Sequence, residues 1–427
     1  MNESWPSVEN AQLVQATCGA ILQACDPAPA VTRYCATLDS NGLPISLLGI
    51  GKAAVPMTRA ALDALGDRAS EVLVLTTGHP DAGSLSERAE ILVGDHPLAT
   101  ERNTRNANRL LEYLQGSGGN DRILLVLLSG GGSALTTRPA AGLTLEDITR
   151  VSSLLMRRGC PIDELNCVRK HCERLKGGRM AALNPTRRTM VCVLSDVIGD
   201  PISTIASGPF APDPTTYADA MNVLAKYDAT HESGGITEYL RAGMEGKHEE
   251  TPKPGDPLFD RVSHEIVLNN PHATLAAREA LCEPDRIPTT LSAHTGSAQD
   301  AAHRLTHALG DHHAVVMGGE PVVGDVPEGS LGGPMQEAVL ATALELESDL
   351  FDWLVVGFAT DGRDGPTDAA GAAIDRAMLA RARDRGLPLE EALGSHDTHR
   401  VLSDMDALIR TGPTGTNVND VLFAIRR

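Results

Sequence analysis

The chain keeps returning to one pattern. A short, continuous apolar run rich in Val, Ile and Leu is followed at once by a turn of Gly, Ser, Asp or Lys, and then by a segment with apolar residues at three- and four-residue spacing. The runs are 45–51 (ISLLGIG), 71–78 (EVLVLTTG), 123–131 (ILLVLLSGG) and 190–196 (MVCVLSD), then 265–270 (EIVLNN), 314–320 (AVVMGGE) and 352–362 (DWLVVGFATDG). Runs that are apolar throughout belong to strands covered on both faces. Their alternation with helical patterns at 53–65, 103–114, 297–309, 335–347 and 367–385 predicts parallel strands joined by crossover helices. The stretch 246–260 holds three prolines and mixed charges, and reads as a boundary or a long surface connection. At 427 residues the chain also exceeds the ~250–300 at which a single core stops growing. The expectation is an α/β protein of two domains, 1–255 and 256–427, with the boundary somewhere between 250 and 310.

No apolar run approaches the roughly 20 residues that cross a bilayer, so a soluble protein is expected, with no membrane partner. The N-terminus carries Glu3 and Glu9 where a signal peptide needs positive charge, which points to a cytoplasmic location. Eight cysteines are scattered without a C-x-x-C pair and read as reduced core residues. A formal net charge of -19 argues against nucleic acid as a partner, while a small anion remains open to a local basic pocket.

The polar clusters at the ends of the runs are where an open α/β sheet binds ligands. Gly49-Ile50-Gly51-Lys52 lets the backbone approach a ligand and puts an ammonium beside a helix start; a plain tight turn with a surface lysine is the alternative. Ser129-Gly130-Gly131-Gly132-Ser133 offers successive N–H groups, an anion nest suited to phosphate, or else is an ordinary loop. It is neither a Walker loop nor a G-x-G-x-x-G turn. Asp196 and Asp200, four apart beyond a strand, suit Mg²⁺ or a helix cap. The segment from Asn166 to Arg179 reads as a basic helix. Either its face is solvated, or Lys176 and Arg179 neutralise a carboxylate or phosphate. Gly318-Gly319-Glu320, Thr360 to Asp368 and Thr411 to Asp420 follow the same rule, each with an ordinary turn as the alternative.

Seven of these segments, in this order along nearly the whole chain, resemble the signature blocks of the glycerate 2-kinase family with a C-terminal MOFRL domain: GIGKAA, LLSGGGSAL, NCVRKHCERLKGGRMA, LSDVIGDPISTIASGP with PDPTT, TPKPGDP, TDGRDGPTDAAGA and TGPTGTNVND. The resemblance implies a Rossmann-like three-layer N-terminal domain, a smaller C-terminal α/β domain of MOFRL type, and a site in the cleft between them. It also implies ATP and Mg²⁺ as cofactors, and D-glycerate going to 2-phosphoglycerate. Lys52, Asp196 and Arg179 are then the catalytic candidates. Ser129, Gly130, Gly131, Gly132, Ser133, Gly362, Thr414, Gly415, Thr416 and Asn417 would bind nucleotide. Lys52, Lys176, Arg179 and Arg363 would bind substrate, and Asp196, Asp200 and Asp361 the metal. The expected partners are a small hydroxy acid and a nucleotide, with a homodimer left open.

The family pattern Gly-Gly-Arg-Asn-Gln-Glu is replaced here by Gly332-Gly333-Pro334-Met335-Gln336-Glu337, so a carboxylate-clamping Arg is lost and Arg363 is the nearest substitute. The segments Thr76 to Pro80 and Gly94 to Pro97 match the family loosely. Three alternatives follow: a kinase for a different hydroxy acid, a hydroxypyruvate or tartronate-semialdehyde reductase, and a non-catalytic relative that binds ligand without releasing ADP.

Overall fold

A computed structural model describes residues 7–78, 82–85, 87–116, 121–284, 286–324 and 326–426. Glu3 and the His79-Pro80 pair lie outside them. The chain divides into two compact units: one comprises 27–195 and 199–267, the other comprises the N-terminal segment to Asp26, Asp196–Ile198 and Leu268–Arg427.

The first unit is built on a six-stranded sheet of β1 (Ile45–Ile50), β2 (Ala69–Thr76), β3 (Glu90–Val93), β4 (Ile123–Leu128), β5 (Arg188–Leu194) and β6 (Val262–Leu268), in the order β3-β2-β1-β4-β5-β6. Strands β1 to β5 run parallel. Every residue of β1 and β4 is buried, as strands with helices on both faces require. This order reverses direction between β1 and β4, which makes the ends of those two strands the switch point of a doubly wound sheet. A separate apolar core forms where the helices Leu145–Arg157 and Ile162–Cys172 meet the helices Tyr217–Lys226 and Gly234–Met244, around Val151, Leu155, Val168, Leu224, Ile236 and Leu240.

The stretch 246–260 is fastened to this unit by polar contacts. Thr251 Oγ1 donates to Asp213 Oδ2 (3.0 Å), His171 Nε2 lies 2.9 Å from Glu250 Oε1, and the Asp213 N–H donates to Pro252 O (2.9 Å).

The second unit holds β7 (Thr289–His294), β8 (Ala314–Gly319), β9 (Trp353–Ala359), β10 (Gly371–Asp375), β11 (Leu408–Ile409) and β12 (Asp420–Arg426), ordered β11-β10-β9-β12-β8-β7. This sheet is mixed: β7 and β8 are parallel, but β12 is antiparallel to both β8 and β9, and β10 to β9. The reading of 367–385 as one helix is corrected here, because its first part is β10 and the helix is only Arg376–Asp384. Alanine-rich periodicity cannot tell a buried strand from a helix. What decides is Gly371, whose φ is +144° and whose Cβ would lie 2.0 Å from Gly357 O, so only glycine lets β10 close on β9. The helix Val8–Ala24 folds with this unit, since the Ser7 N–H and Asn10 Nδ2 donate to Asp375 Oδ2 at 3.2 and 3.0 Å.

Candidate active site

In the first unit the turns after β1 and β4 are locked together. Ser129 N–H donates to Ile50 O (2.9 Å), Lys52 N–H to Gly130 O (2.8 Å) and Ala53 N–H to Ser129 Oγ (3.1 Å). Gly51 adopts φ +124°, and a Cβ there would sit 2.2 Å from Ser129 Oγ, so the approach requires glycine. Lys52 is half-buried with its stem along Gly131, beside the imidazole of His96. His96 is brought there by Asn103, which is wholly buried and donates to both Asp95 O and Ala134 O at 2.9 Å. Sequence reasoning gave Asn103 no role, since nothing in its spacing marks a side chain that bridges two loops.

The nest itself is braced from beneath. Gly132 lies so close to Ala206 that a Cβ would come within 2.7 Å of the alanine's. Ser133 Oγ is 2.7 Å from Ser207 Oγ, and Lys176 Nζ donates to Ser133 O at 2.6 Å. The basic segment 166–179 is neither one helix nor a solvated face. Its helix ends at Cys172, and Lys170 and Lys176 are buried, paired with Asp213 (3.3 Å) and Glu173 (3.1 Å). Burial pulls the Lys176 ammonium down to about 8, against the pull of Glu173 in the other direction. Lys176 thus supports the nest from inside and presents no charge to solvent. Arg179 is half-buried, with Nη2 3.4 Å from Glu249 O.

In the second unit, three polar segments meet. Thr414 Oγ1 donates to Thr360 O (2.6 Å), and Gly362 (φ +84°) would place a Cβ 2.0 Å from Gly412 O. Asp361 Oδ1 accepts from the Arg363 N–H (3.0 Å), leaving the Arg363 side chain exposed. Asn417 Nδ2 donates to Asp196 Oδ2 (3.3 Å), and Thr416 Oγ1 is buried with no hydrogen-bond partner. Gly415 takes φ +82° between them.

Asp200, at φ +55°, falls in the other unit. Among the described residues no three His, Cys, Asp or Glu side chains gather as metal ligands. Pro334 opens the helix Pro334–Glu345 at its first position, where a missing N–H costs nothing. The next two N–H groups are taken by the buried carboxylate of Asp364, at 3.0 and 2.8 Å. Burial holds that carboxyl up at about 6.

Two family models match the chain: a domain of unknown function (DUF4147) over residues 13–241 and the MOFRL family over 313–420. A glycerate 2-kinase from Pyrococcus horikoshii is 35% identical over 89% of this chain and 87% of its own. The chain belongs to the glycerate 2-kinase family. A crystal structure of a member, glycerate kinase from Thermotoga maritima, superposes with a TM-score of 0.83 at 31% identity, covering 98% of this chain and 100% of that one. A relative from Agrobacterium vitis, 33% identical over 98% of this chain and 95% of its own, is provisionally named a hydroxypyruvate reductase. Membership makes the protein an enzyme, a phosphotransferase with an alcohol group as acceptor. No helix among the described residues is long and apolar enough to cross a membrane.

Proposed function

We propose that the protein is an ATP- and magnesium-dependent kinase that phosphorylates the 2-hydroxyl of D-glycerate to give 2-phosphoglycerate. The observation that carries this reading is the locking of the Gly51-Lys52 turn onto the Ser129–Gly132 nest at the switch point of the parallel sheet. Backbone N–H groups and one ammonium at that position suit a polyphosphate. Phosphoryl transfer asks little covalent chemistry of a protein; alignment and charge neutralisation do most of the work.

In this reading the nest orients phosphate oxygens and Lys52 offsets charge that grows on them. Arg363 and Arg179 are the cations offered to the carboxylate, and Thr414 to Asn417 the polar loop offered to nucleotide. Magnesium binds through one or two protein carboxylates plus phosphate oxygens, so the absence of a three-residue cluster among the described residues is compatible with it. Asp196, oriented by Asn417, is the ligand we assign, with Asp361 as the second; Asp200 is left to orient the acceptor hydroxyl. The bound ion would supply neutralisation of phosphate charge. Replacing Lys52 with Ala should lower turnover at least ~10²-fold with folding intact, read as ADP release per enzyme; an unchanged rate removes Lys52 from the mechanism.

A reductase is the second reading, and one observation favours it beyond the Agrobacterium vitis relative. Gly49, Gly51 and Ala54 have the G-x-G-x-x-A spacing of a dinucleotide turn, on a sheet with the dinucleotide strand order. Against it, β2 ends on Thr76-Thr77-Gly78, without the acidic residue that would hold a ribose. Consumption of NADH with hydroxypyruvate would establish this second activity, and none would dispose of it.

A further inference from the structure

Beneath the nest runs a short chain of polar side chains whose protons can be counted. Ser207 Oγ donates to Asn166 Oδ1 (3.0 Å) and stands 2.7 Å from Ser133 Oγ. A hydroxyl has one proton, and a carbonyl oxygen has none, so Ser207 spends its proton on Asn166 and accepts one from Ser133. Ser207 is fully buried and Asn166 nearly so, which keeps water from reversing the order. The backbone enforces the arrangement too. Ala206 and Ser207 both adopt left-handed conformations, φ +50° and +62°, that residues with side chains take at a cost. They are held there by Gly177 N–H donating to Ser207 O (3.0 Å) and Gly178 N–H to Gly208 O (2.8 Å).

Ser133 is half-buried at the nest, with its carbonyl fixed by Lys176 and its proton turned inward. Its hydroxyl oxygen therefore offers only lone pairs outward. A phosphate oxygen is itself an acceptor and gains nothing from such a contact. A cation is disfavoured beside the Lys176 ammonium. An alcohol O–H is the partner that fits.

We infer that Ser133 Oγ is the hydrogen-bond acceptor for the hydroxyl group of the small substrate, and that Ser207 and Asn166 are positioning residues that keep its proton inward. This sets Ser133 apart from the phosphate-binding glycines beside it. The inference rests on the kinase reading for the identity of the alcohol, taken as D-glycerate.

Two variants test it: Ser133→Ala removes the acceptor, and Ser207→Gly removes the relay while relieving the left-handed backbone, so that folding is preserved. Each should raise both the KM and the calorimetric Kd for D-glycerate about 5- to 10-fold, the loss of one hydrogen bond, and leave the Kd for MgATP within about twofold. A Ser207→Gly protein with wild-type affinity for D-glycerate would overturn the inference. So would a loss confined to MgATP, which would return Ser133 to the nucleotide. Wild-type protein that binds D-glycerate but releases no ADP would fail the kinase reading alone, and the calorimetric comparison would still decide the role of Ser133.

Discussion

Lys176 and Glu173 are both fully buried, 3.1 Å apart, and the lysine reaches on to the Ser133 carbonyl. Without Lys176 the buried Glu173 keeps Arg169 at 3.5 Å and the Arg138 N–H at 3.2 Å, so Lys176→Met should cost about 1–3 kcal/mol by urea denaturation. Adding Glu173→Gln should not restore it, because Arg169 then loses its carboxylate as well; a single-variant cost below about 0.5 kcal/mol would mean the pair is not buried as described. The identity of these residues was legible in a segment dense in Lys and Arg, but their burial was not. A charge run gives no sign of whether an acid from the same strand of chain, here Glu173, folds in beside it. The turns that carry Lys52 and Ser129–Ser133 could be located from the glycine clusters that follow apolar runs, and Gly51 at φ +124° shows why that glycine is needed. Ser207 and Asn166 lie 74 and 33 positions from Ser133 and meet it through tertiary packing, which no local pattern encodes.

The helix Pro334–Glu345 illustrates how an element is set by its first turn. Pro334 brings no N–H, and the next two are capped by Asp364 from a neighbouring loop, with Gln336 Nε2 adding a third bond to Asp364 Oδ2 (2.9 Å). Burial nevertheless lifts the Asp364 carboxyl from 3.8 to about 6. Between those values the folded state keeps a proton that the unfolded state has released, so stability from this group is present at low pH and lost as pH rises through about 6. The melting temperature of the wild type relative to Asp364→Asn should therefore fall between pH 4 and 6; a difference constant over that window would contradict the assignment. The existence of this helix was legible from its periodicity. β10 was not, because alanines serve helix and buried strand alike, and β11, at two residues, is too short to leave a pattern.

At the scale of the molecule, a parallel sheet was legible in the first half because β1, β4 and β5 are apolar on both faces and helical patterns separate the apolar runs. Its order is another matter: β1 lies between β2 and β4, and it is this adjacency that brings the Lys52 turn against the nest. Strand direction in the second sheet was hidden, since β12 arrives from the far end of the chain to pair antiparallel with β8 and β9. The resemblance of seven ordered segments and the matches over 13–241 and 313–420 agree on the family. The most direct measurement is ADP release from MgATP against a panel of two- to six-carbon hydroxy acids, with the product identified by phosphorus NMR. The account predicts release dependent on D-glycerate, with phosphate on its 2-oxygen, and its collapse in Lys52→Ala. ADP release that no hydroxy acid stimulates would contradict it.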